Sequence, residues 1–208
     1  MLRGGRPHKA LRHKHINKLL SLHLPSGPVR GLVLVLHYGG APRGHYGRGL
    51  LEQLFVPAWR DTGCAFAAPV TLDSDWRGTH NARMVPALVE GLRQHWSLDG
   101  ASCWLTGYSL GAMGCWHFLS TAPALFRAIV PIAGPIPETL ADFTTPVRVL
   151  HSDADELFPA AQVETRAREL KARGNPLHWQ VLSGVTHYQV GAYRDAVASL
   201  AAELFPPA

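Results

Sequence analysis

The chain has 208 residues, which suits a single domain with a substantial core, and 47% of them are hydrophobic, as in ordinary globular proteins. No apolar run approaches the roughly 18 residues that a membrane span requires, so we expect no membrane span. The net charge is +5, but residues 1–18 carry six basic residues and no acid, which leaves 14 basic against 15 acidic residues in the remainder and excludes a polyanion-binding body.

The uneven distribution of charge along the sequence predicts a division of the chain into two parts. Residues 1–18 are predicted to form a basic N-terminal tail that is poorly ordered, and residues 19–208 to form the folded domain. Contact of the tail with nucleic acid or a membrane surface is the alternative, but we expect no nucleic-acid partner. The oligomeric state is not indicated by the sequence.

Cysteine usage and the N-terminal composition bear on the compartment. Three cysteines lie in apolar surroundings: Cys64, Cys103 and Cys115. Their small, odd number predicts reduced core thiols rather than a disulfide framework. No apolar stretch precedes Pro25, so a secretory signal is not predicted and a cytoplasmic location is expected.

Apolar runs and helical periodicity alternate along the chain. The predicted strands are 19–24, 31–36, 64–69, 102–106, 128–132, 147–150 and 178–182. The predicted helices are 48–61, 81–96, 110–120, 160–173 and 190–204, with a break or kink expected at Pro57. This order predicts a mainly parallel sheet with helices on both faces, an α/β fold. Residues 134–146 are too few for a sizeable lid domain, and functional residues are expected in the loops after strands.

Gly107-Tyr108-Ser109-Leu110-Gly111 lies between a predicted strand and a helix of small residues. The Gly-x-Ser-x-Gly pattern alone is weak, because about one shuffled sequence in ten would contain it, so the context decides. A serine in a sharp strand-to-helix turn projects its hydroxyl above the sheet, and side chains two residues away would crowd that turn. The segment resembles the nucleophile elbow of the α/β-hydrolases. A glycine-rich turn with an incidental serine is the structural alternative.

The resemblance to α/β-hydrolases implies an acid and a base that follow Ser109 in that order. Only His178 and His187 follow the acid candidates, and His187 is preferred because it lies in a loop just past a strand.

The acid is expected in the segment from His151 to Pro159. This segment resembles the His-Gly-x-x-Asp-x-x-Val-Pro signature of the same proteins, which assigns the acid to Asp155. Asp153 would then brace the loop, Glu156 would be solvated, and Ser152 replaces the usual glycine as a small, tolerable departure.

The same resemblance implies an oxyanion hole. One N–H donor is that of Leu110, directly after the serine. The loop from His37 to Gly40 resembles the His-Gly-Gly loop of esterases, which makes Gly39 the second donor and Tyr38 the next choice. Tyr38 stands where glycine is usual. His37 precedes the serine and is expected to be a structural hydrogen-bonder rather than a base.

The resemblance spans the chain from about Leu19 onward and is nearest to the small, lidless carboxylesterase, phospholipase-like and acyl-thioesterase group. It implies a serine hydrolase that cleaves carboxylic esters of small acyl substrates through an acyl-enzyme, without metal or organic cofactor. An acyl thioesterase or lysophospholipase is the alternative, and a serine peptidase or a non-catalytic binding protein is less favoured. The predicted substrate-binding residues are Trp76, Tyr108, Leu157, Phe158 and Tyr188; burial of such aromatic residues in the core is the alternative.

Overall fold

The computed structural model describes residues 19–40, 46–99 and 102–206; the predicted tail of residues 1–18 lies outside them. Seven strands form one sheet in the order β1-β3-β2-β4-β5-β6-β7. The strands are β1 (Leu20–His23), β2 (Gly31–Leu36), β3 (Cys64–Pro69), β4 (Cys103–Tyr108), β5 (Ala128–Ile132), β6 (Val147–Ser152) and β7 (Leu177–Leu182). β1 is antiparallel to β3, and all other neighbours are parallel. The predicted α/β class and mainly parallel sheet are confirmed.

Helices cover both faces of this sheet. They are α1 (Tyr46–Leu50), α2 (Val56–Trp59), α3 (Thr79–His95), α4 (Leu110–Thr121), α5 (Ala160–Ala172), α6 (Arg194–Ser199) and α7 (Ala201–Leu204). In the parts of the chain that the structure describes, no helix is long and apolar enough to cross a membrane. The segment between β5 and β6 contains neither helix nor strand, as its length predicted.

Two predicted helices are broken into shorter pieces. The single helix expected over 48–61 is instead α1, a π-helical turn (Leu51–Phe55), α2 and a 3-10 turn (Arg60–Thr62). Pro57 lies in the first turn of α2, directly after the π-helical turn, and because proline has no N–H to donate to that turn, the helical form changes there. The helix expected over 190–204 is a 3-10 turn followed by α6 and α7.

The core consists of two apolar layers, one on each side of the sheet. Along β2, Leu32, Leu34 and Leu36 face one layer while Val33 and Val35 face the other. Helices α3, α4 and α5 pack on the leucine side, and α1, α2, α6 and α7 pack on the valine side. A strand covered on both faces is continuously apolar, which explains the unbroken hydrophobic run of β2.

The turn from β4 into α4 is sterically tight. A Cβ on Gly111 would lie 2.0 Å from the carbonyl oxygen of Leu36, and a Cβ on Gly107 would lie 2.4 Å from the backbone carbonyl group of Gly111. Ser109 between them has φ 55° and ψ −113°, outside the regions that L-residues favour. The two glycines therefore permit the helix to start directly against the end of β2.

We expect Gly111→Ala to lower the free energy of unfolding by about 3 kcal/mol or more, or to prevent folding, because its Cβ would overlap backbone that cannot move away. Urea titration of purified protein measures the change. The matched control is Gly91→Ala, in the exposed middle of α3, where an added Cβ meets nothing within 4 Å. This control should raise stability by roughly 0.5–1 kcal/mol. Equal stability of the two variants would contradict the steric argument.

Candidate active site

The serine, the histidine and one aspartate predicted as a triad meet at the carboxyl ends of the parallel strands. Ser109 follows β4, Asp155 lies in the loop after β6, and His187 lies in the loop after β7. The Ser109 hydroxyl lies 2.9 Å from Nε2 of His187, and Nδ1 of His187 lies 2.8 Å from Oδ2 of Asp155. A carboxylate beside Nδ1 selects the tautomer that leaves Nε2 free to accept the serine proton.

Asp155 is fixed by its own loop. Its second oxygen, Oδ1, accepts hydrogen bonds from the backbone N–H groups of Leu157 at 3.0 Å and Phe158 at 2.9 Å. The Asp155 side chain has no solvent exposure, and that of His187 has 5%. Since water cannot compete there, the imidazole is held in one orientation toward Ser109.

The competing candidates lie elsewhere. Asp153 accepts hydrogen bonds from the Gly184 N–H at 2.7 Å and the Ser183 hydroxyl at 2.9 Å, and these bonds lower the pKa of its carboxyl group. It braces the loop, as the sequence predicted. His178 lies near the amino end of β7, opposite Arg148, and thus at the far end of the strand from Ser109.

Two loops meet where the oxyanion donors are predicted. Leu110 is the first residue of α4, so its N–H has no acceptor within the helix. A Cβ added to Gly39 would lie 3.7 Å from the Leu110 side chain, so the loop after β2 lies directly beside the start of α4. Tyr38 is half-buried, and its ring lies 5.4 Å from that of Tyr46 and 6.5 Å from that of Tyr108.

His37 supports the loop after β2 through both ring nitrogens. Its Nδ1 donates to the Tyr38 carbonyl at 2.7 Å, and its Nε2 accepts from the Thr71 N–H at 3.2 Å. Burial lowers the pKa of His37, in agreement with a neutral ring that donates on one side and accepts on the other. The geometry agrees with the structural role expected for it.

Two of the five predicted substrate-binding residues are wrong, because they belong to the core. Trp76 has no exposed surface, and its indole N–H donates to the carbonyl of His37 at 2.8 Å. Tyr108 is 1% exposed, and its hydroxyl donates to the carbonyl of His187 at 2.8 Å. Tyr108 adjoins Ser109 in sequence and Trp76 lies in the segment after β3, but both side chains turn inward and donate to backbone carbonyls of the site loops.

Of the other three predicted residues, two lie beside the histidine ring and the third, Leu157, lies in the loop of Asp155. Leu157 is 49% exposed and Tyr188 is 73% exposed. The rings of Phe158 and Tyr188 lie 5.4 and 5.6 Å from the His187 ring. These apolar side chains therefore lie at the open side of the site.

Sequence reasoning missed the loop residue Glu156, which was expected to be solvated. Its side chain is exposed, but Oε2 also accepts a hydrogen bond from the backbone N–H of His187 at 2.8 Å. Ser152 is likewise more than a tolerable replacement for glycine, because its buried hydroxyl bridges β6 and β7 by donating to Leu182 O at 3.1 Å. In the sequence, the only indication of this role is that Glu156 directly follows Asp155.

Known proteins share this architecture. A lidless α/β serine hydrolase from Xanthomonas campestris superimposes with a TM-score of 0.69 at 19% identity, covering 91% of this chain and 90% of that one. The esterase PE8 superimposes with a TM-score of 0.67 at 24% identity over 88% of this chain and 97% of its own. The chain therefore has the α/β-hydrolase fold.

Similarity in sequence is more limited. The bifunctional acetylxylan esterase/xylanase of Neocallimastix patriciarum is 25% identical over 92 residues, which is 43% of this chain. The match spans only 14% of that longer protein. No family model matches the chain.

The burial of Trp76 generates a stability prediction. Trp76→Phe should lower the free energy of unfolding by about 2–3 kcal/mol, because it leaves the His37 carbonyl without its donor and opens a cavity. Chemical denaturation measures the loss. Tyr188→Ala, at the exposed aromatic residue, should change stability by no more than about 0.5 kcal/mol. If Trp76→Phe were as stable as the wild type, the side chain would not be part of the core.

Proposed function

We propose that the protein is a serine carboxylesterase that cleaves esters of small acyl groups through an acyl-enzyme, with Ser109, His187 and Asp155 as its catalytic triad. The continuous hydrogen-bonded chain from the Ser109 hydroxyl through His187 to Asp155, at 2.9 and 2.8 Å, carries this proposal. A serine hydroxyl is a weak nucleophile, and this arrangement gives it a base that is oriented by a buried carboxylate.

In the first half-reaction, Nε2 of His187 accepts the proton of Ser109 as Oγ attacks the ester carbonyl carbon. The C–O double bond becomes a single bond, and the negative charge forms on the former carbonyl oxygen. The N–H groups of Leu110 and Gly39, with Tyr38 as the second choice in the loop, are proposed to donate to that oxygen. Asp155 stabilises the imidazolium that results.

Collapse of the tetrahedral intermediate breaks the bond to the leaving alkoxide, which takes the proton from Nε2 of His187 and leaves as an alcohol. The acyl group remains on Ser109. In the second half-reaction, His187 accepts a proton from water, the hydroxide attacks the acyl carbon, and the proton returns to Ser109 Oγ as the carboxylic acid departs. The ester and one water molecule are the only reactants, and the free enzyme is regenerated.

Leu157, Phe158 and Tyr188 are proposed to contact the substrate. Phe158 and Tyr188 adjoin the His187 ring, Leu157 directly precedes Phe158, and Leu157 and Tyr188 are 49% and 73% exposed. Apolar contact with an acyl or alcohol group would exclude water from the reacting carbonyl. Trp76 and Tyr108 are not proposed for this role, since both are buried.

The similar proteins support ester hydrolysis as the reaction. PE8 is described as an esterase, and the protein of Neocallimastix patriciarum as an acetylxylan esterase joined to a xylanase. Both descriptions name an esterase, the first without a stated substrate. An acyl thioesterase or lysophospholipase would use the same triad and remains the alternative for the leaving group.

Hydrolysis of p-nitrophenyl esters of increasing acyl length tests the reaction and the nucleophile. The wild type should prefer short acyl chains, and Ser109→Ala should lower kcat by at least about 10³-fold because the attacking oxygen is gone.

The matched control is Ser26→Ala, in the exposed turn after the antiparallel strand β1 and thus at the opposite end of the sheet. It should keep the wild-type rate. Turnover of a thioester but not of the oxygen ester of equal length would favour the thioesterase alternative. Equal rates for Ser109→Ala and the wild type would contradict the proposal.

The two aspartates of the loop after β6 are separated by matched variants. Asp155→Asn should lower kcat by about 10⁴-fold, because an amide favours the wrong histidine tautomer and does not stabilise the imidazolium. Asp153→Asn should have a much smaller effect on kcat, since Asp153 contacts Ser183 and Gly184 rather than the imidazole. Steady-state kinetics on one ester decides. Loss of activity only in Asp153→Asn would reverse the assignment.

A further inference from the structure

The loop that carries His187, residues 183–189 and here the His loop, is held by side chains rather than by regular secondary structure. Four consecutive backbone N–H groups each donate to a side-chain oxygen. The pairs are Gly184 to Asp153 at 2.7 Å, Val185 to Ser152 at 3.1 Å, Thr186 to Gln189 at 2.9 Å and His187 to Glu156 at 2.8 Å. Three of the four acceptors come from the end of β6 and the loop after it.

The peptide groups on both sides of the His187 Cα are held. The N–H donates to Oε2 of Glu156, and the carbonyl accepts from the Tyr108 hydroxyl at 2.8 Å. Burial raises the pKa of Tyr108 above that of a free phenol, so its hydroxyl stays protonated and remains a donor in alkaline solution.

Tyr108 and Glu156 each lie next to another member of the proposed triad in sequence. Tyr108 directly precedes Ser109, and Glu156 directly follows Asp155. Each therefore ties the His187 backbone to the loop that carries another member of the triad. If either loop is displaced, the hydrogen bond moves the His187 backbone in the same direction. The imidazole therefore keeps its distances to Ser109 and Asp155.

We propose that Glu156 and Tyr108 are positioning residues of the active site, which fix the His187 backbone between the serine and aspartate loops. This inference rests on the proposed function. Within the described chain, Glu156 bonds neither to the His187 imidazole nor to the Ser109 hydroxyl. Its effect on catalysis is therefore transmitted through the backbone of His187.

Glu156→Ala removes the acceptor of the His187 N–H. We expect kcat for p-nitrophenyl acetate to fall about 10–100-fold with KM nearly unchanged, because a small misplacement of a catalytic group affects the reacting geometry and not the binding of the ester. Glu156→Gln keeps an acceptor oxygen and should restore kcat to within about threefold of the wild type. A merely structural residue would not give this separation of kcat from KM with rescue by glutamine.

The matched control is Glu90→Ala, which removes the same charge from the exposed face of α3. It should leave kcat and KM at the wild-type values. Tyr108→Phe should also lower kcat. The double variant with Glu156→Ala should lower kcat by a factor that differs from the product of the two single factors, because both bonds act on one residue. A factor equal to that product would show that the two side chains act separately.

Amide hydrogen exchange of His187, followed by NMR, tests the same bond without ester turnover. The amide should exchange slowly in the wild type and in Glu156→Gln and faster in Glu156→Ala. If the wild type hydrolyses no ester, the proposed function fails while the exchange rates still decide on the Glu156 bond. If Glu156→Ala matches the wild type in both kcat and exchange, the positioning role is overturned.

Discussion

The close approach of helix α4 to the end of strand β2 is the constraint on which the rest of the site depends. A side chain at Gly111 would overlap the Leu36 carbonyl, so the helix start reaches β2 only with glycine there. The same turn forces Ser109 to φ 55°, a conformation that costs of order 1–3 kcal/mol and is offset by the packed core around α4. It also brings Leu110 beside Gly39, so the serine and both proposed oxyanion donors are fixed by one steric contact.

Main-chain hydrogen bonds carry this constraint across the sheet to the loops that hold Asp155 and His187. Beyond the strand ends, the N–H of Ser109 donates to β5 at Ile132 O, 2.9 Å, and the N–H of Ala133 donates to β6 at Leu150 O, 2.9 Å. The N–H of Asp153 then donates to β7 at Leu182 O, 3.0 Å. These bonds continue the parallel ladder into the loops. The loops after β4, β6 and β7 are therefore extensions of the sheet, which explains how residues 78 positions apart meet within 2.9 Å.

The sequence predicted those features that depend on local pattern. Every strand of the sheet follows from an apolar run or from alternation of apolar and polar residues, and the glycine spacing around Ser109 predicts the tight turn because the steric reason lies within five residues. Side-chain direction in the loops is different. Trp76 and Tyr108 were expected at the substrate side, but their direction is decided by distant carbonyl groups, His37 O and His187 O, that need a donor. Glu156 was missed for the same reason, since its acceptor role depends on a backbone N–H 31 residues away.

The buried, hydrogen-bonded side chains of the site, here the polar framework, and the exposed side chains beside them are consequently subject to different structural constraints. The side chains of Asp155 and His187 are almost wholly buried, and they bond to each other and to Ser109 within the described chain. Leu157 and Tyr188, by contrast, are 49% and 73% exposed, and Leu157 bonds to that framework through its backbone N–H and not through its side chain. Because exposed substitutions cost little stability, these two positions can change substrate preference without disturbing the bonds that orient His187. For the proposed ester hydrolysis, preference for one ester over another is therefore expected to reside in these exposed side chains, and the rate of the chemical step in the polar framework.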